Sequence, residues 1–338
     1  MQSIGVSLPV QEELTAPQYI ELARAAEEEG AHTVFVGEIA GVECFAALGM
    51  LAGATTSIRL ASGVISIYTR SPALTAMGFA TVASLAPGRV AAGLGTGSHV
   101  VVRDWHGGEL SRPRTRMREF IAAFRQAVSG HRVNHAGATL TVSDFRLRIP
   151  REGDAIPVLM GSFNAPMLRL AGAIADGVIL SFCPLDEVPG RVAEVRAGAA
   201  EAGRDPDELE IALYMSAYAG DELDAALERF RRLVLQYAVQ RTHRAGFAES
   251  IPELDRAASL WHSGDRRQAA ALIPDEAVLR LCPIGSPANV AARLEATRDL
   301  GVTLPVLAPQ SLSSGDVQTP LATIRAVAAA GRAAGKTP

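Results

Sequence analysis

Residues 62–97 read SGVISIYTRSPALTAMGFATVASLAPGRVAAGLGTG. The stretch opens on the end of an apolar strand, Ile58 to Ile67, and passes through Arg70-Ser71-Pro72 into a helix reaching Leu85. A Pro87-Gly88 turn follows, then a second strand from Arg89 to Leu94, which leaves through Gly93-Leu94-Gly95-Thr96-Gly97. Two strands joined through a helix must run parallel, because a crossover returns the chain to the same edge of the sheet. In parallel α/β proteins ligands gather at the carboxyl ends of strands, so these two strand exits mark a rim where chemistry is expected.

The same alternation continues in both directions. Upstream come a short strand from Ser3 to Leu8, a helix opened by Pro17 and closed at Gly30, a strand over Thr33 to Val36 and a helix over Cys44 to Ala54. Downstream lie an amphipathic helix from Arg112 to Ser129, a strand from Ile156 to Met160, a helix from Pro166 to Ala175 and a strand from Gly177 to Ser181. A helix over Val188 to Ala202, a strand over Glu210 to Ala217 and a helix from Leu223 to Gln240 extend the count. A helix from Pro287 to Gly301, a strand over Leu304 to Leu307 and a closing helix from Leu321 to Ala334 complete it. Eight apolar strands alternating with helices predict an α/β fold, a (β/α)8 TIM barrel with insertions, forming one domain over residues 1–338. Two stretches break the rhythm. Residues 131–150, with Val133 to Leu140 folded around a glycine turn, predict a hairpin insertion, and residues 241–281, around Trp261 and Pro274, a helical insertion.

At 338 residues, 48% of them hydrophobic, the chain can build a large core, and its formal net charge of -4 offers no long-range attraction to nucleic acid or an anionic membrane. Neither partner is expected; a small molecule is. Cys44, Cys183 and Cys282 are too scattered for a disulfide framework or a zinc site, and no His-rich or HExxH pairing supports a metal. No secretory leader pattern or run of about 18 apolar residues occurs, so a cytoplasmic location is expected.

Local motifs leave the chemistry open. Gly93 to Ser98 is shaped like a dinucleotide fingerprint, but Ser98 stands at the third glycine position and the motif follows a later strand; no Lys-Ser/Thr pair makes it a P-loop. Its glycines fit either a tight turn or close approach of a flat or phosphorylated ligand. His99 and His106 lie on the following loop, Glu38 ends the second strand, and Gly161-Ser162-Phe163-Asn164 opens a helix whose free amides suit an anion as well as plain capping by Asn164. The serines Ser62, Ser98 and Ser162 lie outside any GxSxG elbow, which argues against a serine hydrolase.

Gly63-Val64, Arg70-Ser71-Pro72-Ala73, Ala80-Thr81, Pro87-Gly88-Arg89-Val90 and Gly93 to Gly97, joined to Arg112-Pro113, Arg118-Glu119, Ile156-Pro157-Val158, Gly161, Pro166, Ala171-Gly172 and Ala175-Asp176-Gly177, resemble the bacterial luciferase-like flavin and deazaflavin oxidoreductases. The likeness spans nearly the whole chain. It is strongest toward the branch using the deazaflavin coenzyme F420, methylenetetrahydromethanopterin reductase above all, with F420-dependent glucose-6-phosphate dehydrogenases further off.

The resemblance implies a cis peptide at Gly63-Val64 behind the deazaflavin ring, after Ser62; a turn at Thr96, Gly97 and Ser98 beside the ring; and a phosphate site at Gly161, Ser162, Phe163 and Asn164. Glu38 falls where an acidic residue contacts the cofactor head. The next position, commonly histidine in the family, is Ile39, and a family asparagine is replaced by Val101. Without that histidine, reduction of a C=N or C=C bond is favoured over alcohol chemistry, with Glu38 and His99 as candidate catalytic groups. Reduced FMN with monooxygenase activity, or non-catalytic flavin binding, are the alternatives on the same fold. A homodimer is expected by analogy.

Overall fold

The computed structural model describes residues 4–10, 12–149, 155–239, 251 and 253–334. Eight parallel strands close into a barrel: β1 (Gly5–Ser7), β2 (Thr33–Val36), β3 (Arg59–Ser62), β5 (Val90–Gly95), β8 (Val158–Gly161), β9 (Gly177–Ser181), β10 (Glu210–Ala219) and β12 (Leu304–Pro309). They pair in that order, and β12 closes the ring on β1, with Gly5 opposite Val306. The expected barrel is therefore present.

Its interior is filled by one inward residue from each of several strands, among them Phe35, Ala61, Ala91, Leu159, Ile179 and Ala212, with Leu304 and Val306 from β12. Small residues face large ones: a Cβ on Gly5 would stand 3.0 Å from Val306 and 3.1 Å from Phe35, so a side chain there would push both neighbours outward by a few tenths of an ångström. The helices α1 (Ala16–Glu28), α2 (Cys44–Ala54), α3 (Pro72–Leu85), α4 (Pro113–Val128), α5 (Ala165–Ile174) and α6 (Val188–Glu201) wrap the outside. Four of the α2 to α6 set begin with proline at the first turns, where its missing N–H costs nothing. A chain of edge-to-face rings, Phe45 to Phe79 at 4.9 Å and Phe79 to Phe124 at 5.7 Å, staples α2, α3 and α4 together.

The structure refines several sequence boundaries. The strand expected over Ile58 to Ile67 is two pieces, β3 and the short β4 (Ile65–Ser66), separated by Gly63-Val64. Residues 100–105, expected as open loop, form a π-helical turn, Val100–Trp105, anchored by buried Val102. The ribbon of β6 (Val133–Ala136) and β7 (Thr141–Phe145) is antiparallel and runs five residues beyond Leu140. Beyond β10, α7 (Leu223–Ala238) packs with α8 (Glu253–His262), α9 (Arg266–Ala271) and α10 (Asp275–Leu281) around a core separate from the barrel's. Residues 241–250 and 252 of this expected insertion, and residue 150 of the expected hairpin insertion, lie outside the described residues. After the two-residue strand β11 (Ile284–Gly285), α11 (Pro287–Ala296) stops short of the expected Gly301, which sits at φ +90° and turns the chain into β12. The last helix, α12 (Gln318–Ala334), starts three residues earlier than its apolar pattern.

Candidate active site

The carboxyl ends of β3, β5 and β8 meet around one side chain, Val64. The peptide joining Gly63 to Val64 is cis. Val64 lies between two glycines: a Cβ on Gly95 would stand 2.5 Å from its Cγ2, and a Cβ on Gly161 3.2 Å from its Cγ1. Both strand exits are thus glycine because the valine occupies the space their side chains would take. Beneath it, Gly63 packs on Tyr214 of β10, whose hydroxyl oxygen would be 2.1 Å from an added Cβ. Tyr214 crosses the Phe35 ring at 5.2 Å, and burial pushes its hydroxyl pKa well above the ordinary range. The result is a firm apolar shelf at the barrel mouth, resting on the interior core.

Polar residues lock the shelf's edges. Ser62 is fully buried; its hydroxyl donates to the carbonyl of Gly93 at 2.7 Å and accepts from the Gly93 N–H at 2.8 Å, so the side chain ties β3 to β5. Ser66 donates to the carbonyl of Thr96 at 3.0 Å, holding the Thr96-Gly97-Ser98 turn, where Gly97 has φ +71°. Ser98 is buried and accepts from the N–H of Val101 at 3.3 Å. His99 is exposed, and no hydrogen bond or ion pair joins it to Glu38 among the described residues.

At the β8 exit Gly161 leads into Ser162, Phe163 and Asn164, the entry of α5. Asn164 caps the helix, accepting from the N–H of Met167 at 3.1 Å. The hydroxyl of Ser162 is buried and has no hydrogen-bond partner among the described residues. A buried hydroxyl without a partner is uncommon, and beside a helix N-terminus it is a group that an anionic ligand would satisfy. The carbonyl of Phe163 points the other way and accepts from Arg191 of α6 at 2.5 Å. The shelf and this cradle fit a flat ring carrying a phosphate.

Glu38 is the most heavily engaged of the sequence-predicted residues. It accepts from Arg70 twice, Nη2 at 2.8 Å and Nε at 3.3 Å, and from the N–H of Cys44 at 3.2 Å. Arg70 also pairs with Glu43, the N-cap of α2, and stacks over the Phe45 ring at 4.9 Å. Sequence reasoning missed Arg70 as Glu38's partner although it stands in the quoted Arg70-Ser71-Pro72 motif, because a contact 32 residues away leaves no mark in local spacing. Tyr214 was missed for the same reason. Across the mouth, Phe182 follows β9 at φ +46° and stacks on Tyr237 of α7 at 3.7 Å, while Arg229 of α7 pairs with the buried carboxylate of Glu12 at 2.6 Å. These two contacts fasten α7 and its helices over β1, β9 and β10.

The family model for luciferase-like monooxygenases matches residues 3–304. The chain belongs to that family. It is 28% identical over 291 residues to the 5,10-methylenetetrahydromethanopterin reductase of Methanolobus tindarius, covering 83% of this chain and 86% of the relative. It is 27% identical over 319 residues to a putative coenzyme F420-dependent oxidoreductase of Mycobacterium tuberculosis, covering 86% and 90%. The fold superposes with a TM-score of 0.80 on the coenzyme F420-dependent tetrahydromethanopterin reductase of Methanopyrus kandleri, at 24% identity over 96% of this chain and 97% of that one. For this luciferase-like protein, no cluster of His, Cys, Asp or Glu able to hold a metal occurs among the described residues, and no described helix is long and apolar enough to cross a membrane.

Proposed function

We propose that the protein is a coenzyme F420-dependent oxidoreductase that reduces a small organic substrate at a C=N or C=C bond, with both groups held in the mouth of one barrel domain. The observation that carries this reading is Val64 packed between Gly95 and Gly161, which sets an apolar surface at the carboxyl ends of β3, β5 and β8. The relatives named for coenzyme F420 support the choice of ring.

When bound, the deazaflavin supplies or accepts a hydride; the chain's part is to position both partners and keep water away. Val64 would back one face of the ring, Thr96, Gly97 and Ser98 would border it, and Ser162, with the amides of Gly161, Phe163 and Asn164, would hold the phosphate. Glu38, its oxygens already accepting from three donors, serves as a fixed acceptor for the cofactor head rather than as a proton donor. With Ile39 beside it, no side chain at that corner is placed to deprotonate an alcohol, which favours the reductase direction.

The protein is further proposed to act in the cytoplasm as a homodimer joined through α2 and α3. Neither helix contains a charged residue within its span, and α3 exposes Leu74, Met77 and Leu85 at 48%, 47% and 56%. A charge-free face suits a second copy of itself, since isologous pairing needs no charge complement.

Titration with oxidised F420 and, separately, with FMN tests the cofactor. Micromolar or tighter quenching of deazaflavin fluorescence with weak FMN binding is expected; tight FMN binding without a deazaflavin response favours the monooxygenase alternative and overturns the assignment.

A further inference from the structure

Val64 and its two glycines occupy the exits of β3, β5 and β8, and the far side of the barrel mouth is built by β9, β10, β12 and β1. Pairing register fixes which side chains of those four strands face inward. Ser7 stands opposite Phe35, Tyr214 opposite both Ser181 and Val306, and Ser216 opposite Ala308. Phe35 and Val306 belong to the interior core, and Ser216 follows Tyr214 by two residues, so Ser7, Ser181, Tyr214 and Ser216 share the interior face. The wall facing Val64 is made of hydroxyls.

These hydroxyls are short of partners. Ser181 and Ser216 are half-buried, and their side chains make no hydrogen bond among the described residues. The Tyr214 hydroxyl is buried and has none either. Burial raises its pKa, and the hydroxyl of Ser7 beside it offsets part of that rise without closing a hydrogen bond. Ser7 itself is 8% exposed and stands at the carboxyl end of β1. A carbonyl oxygen that accepts from Ser7 leaves the Ser7 oxygen to accept from Tyr214, and the row from Tyr214 through Ser7 to the ligand then satisfies each hydroxyl in turn.

The same wall offers nothing to balance a negative charge. Its strand exits, over residues 7–10, 181–185, 216–222 and 308–314, contain no lysine, arginine or histidine. Arg229, which meets the β1 exit from α7, is already paired with the buried carboxylate of Glu12, and Asp221 and Glu222 of the β10 exit are exposed. A carboxylate or phosphate buried here would stay unpaired, which costs far more than burying a neutral carbonyl that finds its hydrogen bonds.

We propose that Ser7, backed by Tyr214 and flanked by Ser181 and Ser216, receives an uncharged carbonyl of the substrate, conjugated to the bond being reduced. Amides, esters and ketones are then taken and their carboxylate counterparts refused; the inference rests on the F420-dependent reductase reading above. Ligand-observed NMR titration of the full chain loaded with oxidised F420 tests it, using cinnamamide against cinnamate and crotonamide against crotonate, pairs that share a shape and differ in charge. Each amide is expected to bind about tenfold more tightly than its carboxylate. Ser7→Ala is expected to weaken amide binding about two- to tenfold, the worth of one hydrogen bond. Tyr214→Phe is expected to do the same while its thermal midpoint holds or rises, because it removes a buried hydroxyl that lacks a partner in the free protein; a merely structural tyrosine would lose stability and leave amide affinity alone. Equal binding of amide and carboxylate, binding of no member of either pair, or amide affinity unchanged in both variants overturns the proposal with the F420 assignment intact. A chain that takes up no F420 overturns that assignment and the inference with it.

Discussion

Val64 and Ser162 are the residues on which the site turns, and each makes a sharp prediction. Gly95→Ala places a methyl 2.5 Å from Val64 Cγ2, with no free volume between them. Overpacking of this kind costs about 1–3 kcal/mol, so F420 affinity in a fluorescence titration is expected to fall about tenfold or more. Unchanged affinity would show that the valine shelf does not meet the ring. Ser162→Ala has a different signature. Its hydroxyl is buried without a partner, so removing it relieves a desolvation cost, and the thermal midpoint is expected to hold or rise. Affinity for the coenzyme falls about two- to tenfold, the worth of one hydrogen bond to a ligand. A variant that loses stability and keeps its affinity would place the hydroxyl in the fold instead. Glu38 and Arg70 belong to the same scale: the carboxylate was legible at the strand end, its guanidinium partner was not.

Among the elements, the parallel strands were legible because both of their faces are covered, which leaves continuous apolar runs such as Thr33 to Val36 and Gly177 to Ser181. The interruption of the third strand was visible only through family resemblance, since Gly63-Val64 looks like ordinary strand sequence. The π-helical turn at Val100–Trp105 was not legible at all: its three consecutive valines favour extended chain locally, and it is fixed instead by Val102 packing against Gly97 and Gly108. Element junctions carry an acid-sensitivity of their own. Glu27, near the end of α1, is partly desolvated, which raises its pKa, but hydrogen bonds from the amides of Ser57, Ile58 and Thr56 and the Ser57 hydroxyl outweigh this and bring it from 4.5 to about 2. A carboxylate with a depressed folded pKa stabilises above its unfolded value, and that contribution disappears as the pH falls from about 4.5 toward 2. Thermal melts across this window are expected to drop more steeply for wild type than for Glu27→Gln. Parallel curves would remove Glu27 from the account of how α1 is fastened to the start of β3.

For the whole molecule, the barrel and its insertion have separate cores, joined by contacts that include Phe182 on Tyr237, Arg229 with Glu12 and Arg280 with Asp186. The barrel carries Val64 and the Gly161 to Asn164 exit, and the insertion packs beside it through α7. The residues expected at the cofactor lie on barrel strand ends, which the sequence pattern marks, whereas residues that would meet substrate lie on loops whose contacts no periodicity encodes. Association belongs to this scale as well. A stable interface needs roughly 800 Å² from each copy, and Leu74→Glu with Met77→Asp puts two charges into the proposed face. Sedimentation is expected to show a dimer for wild type and a monomer for that variant; a monomeric wild type would refute the pairing. The central claim, that the ring lies against Val64 with its phosphate at α5, is tested most directly by a crystal structure of the protein with oxidised F420. The account predicts the deazaflavin stacked on Val64 between the Gly95 and Gly161 exits, with the Ser162 hydroxyl on a phosphate oxygen; a ring bound elsewhere, or a phosphate away from Ser162, would contradict it.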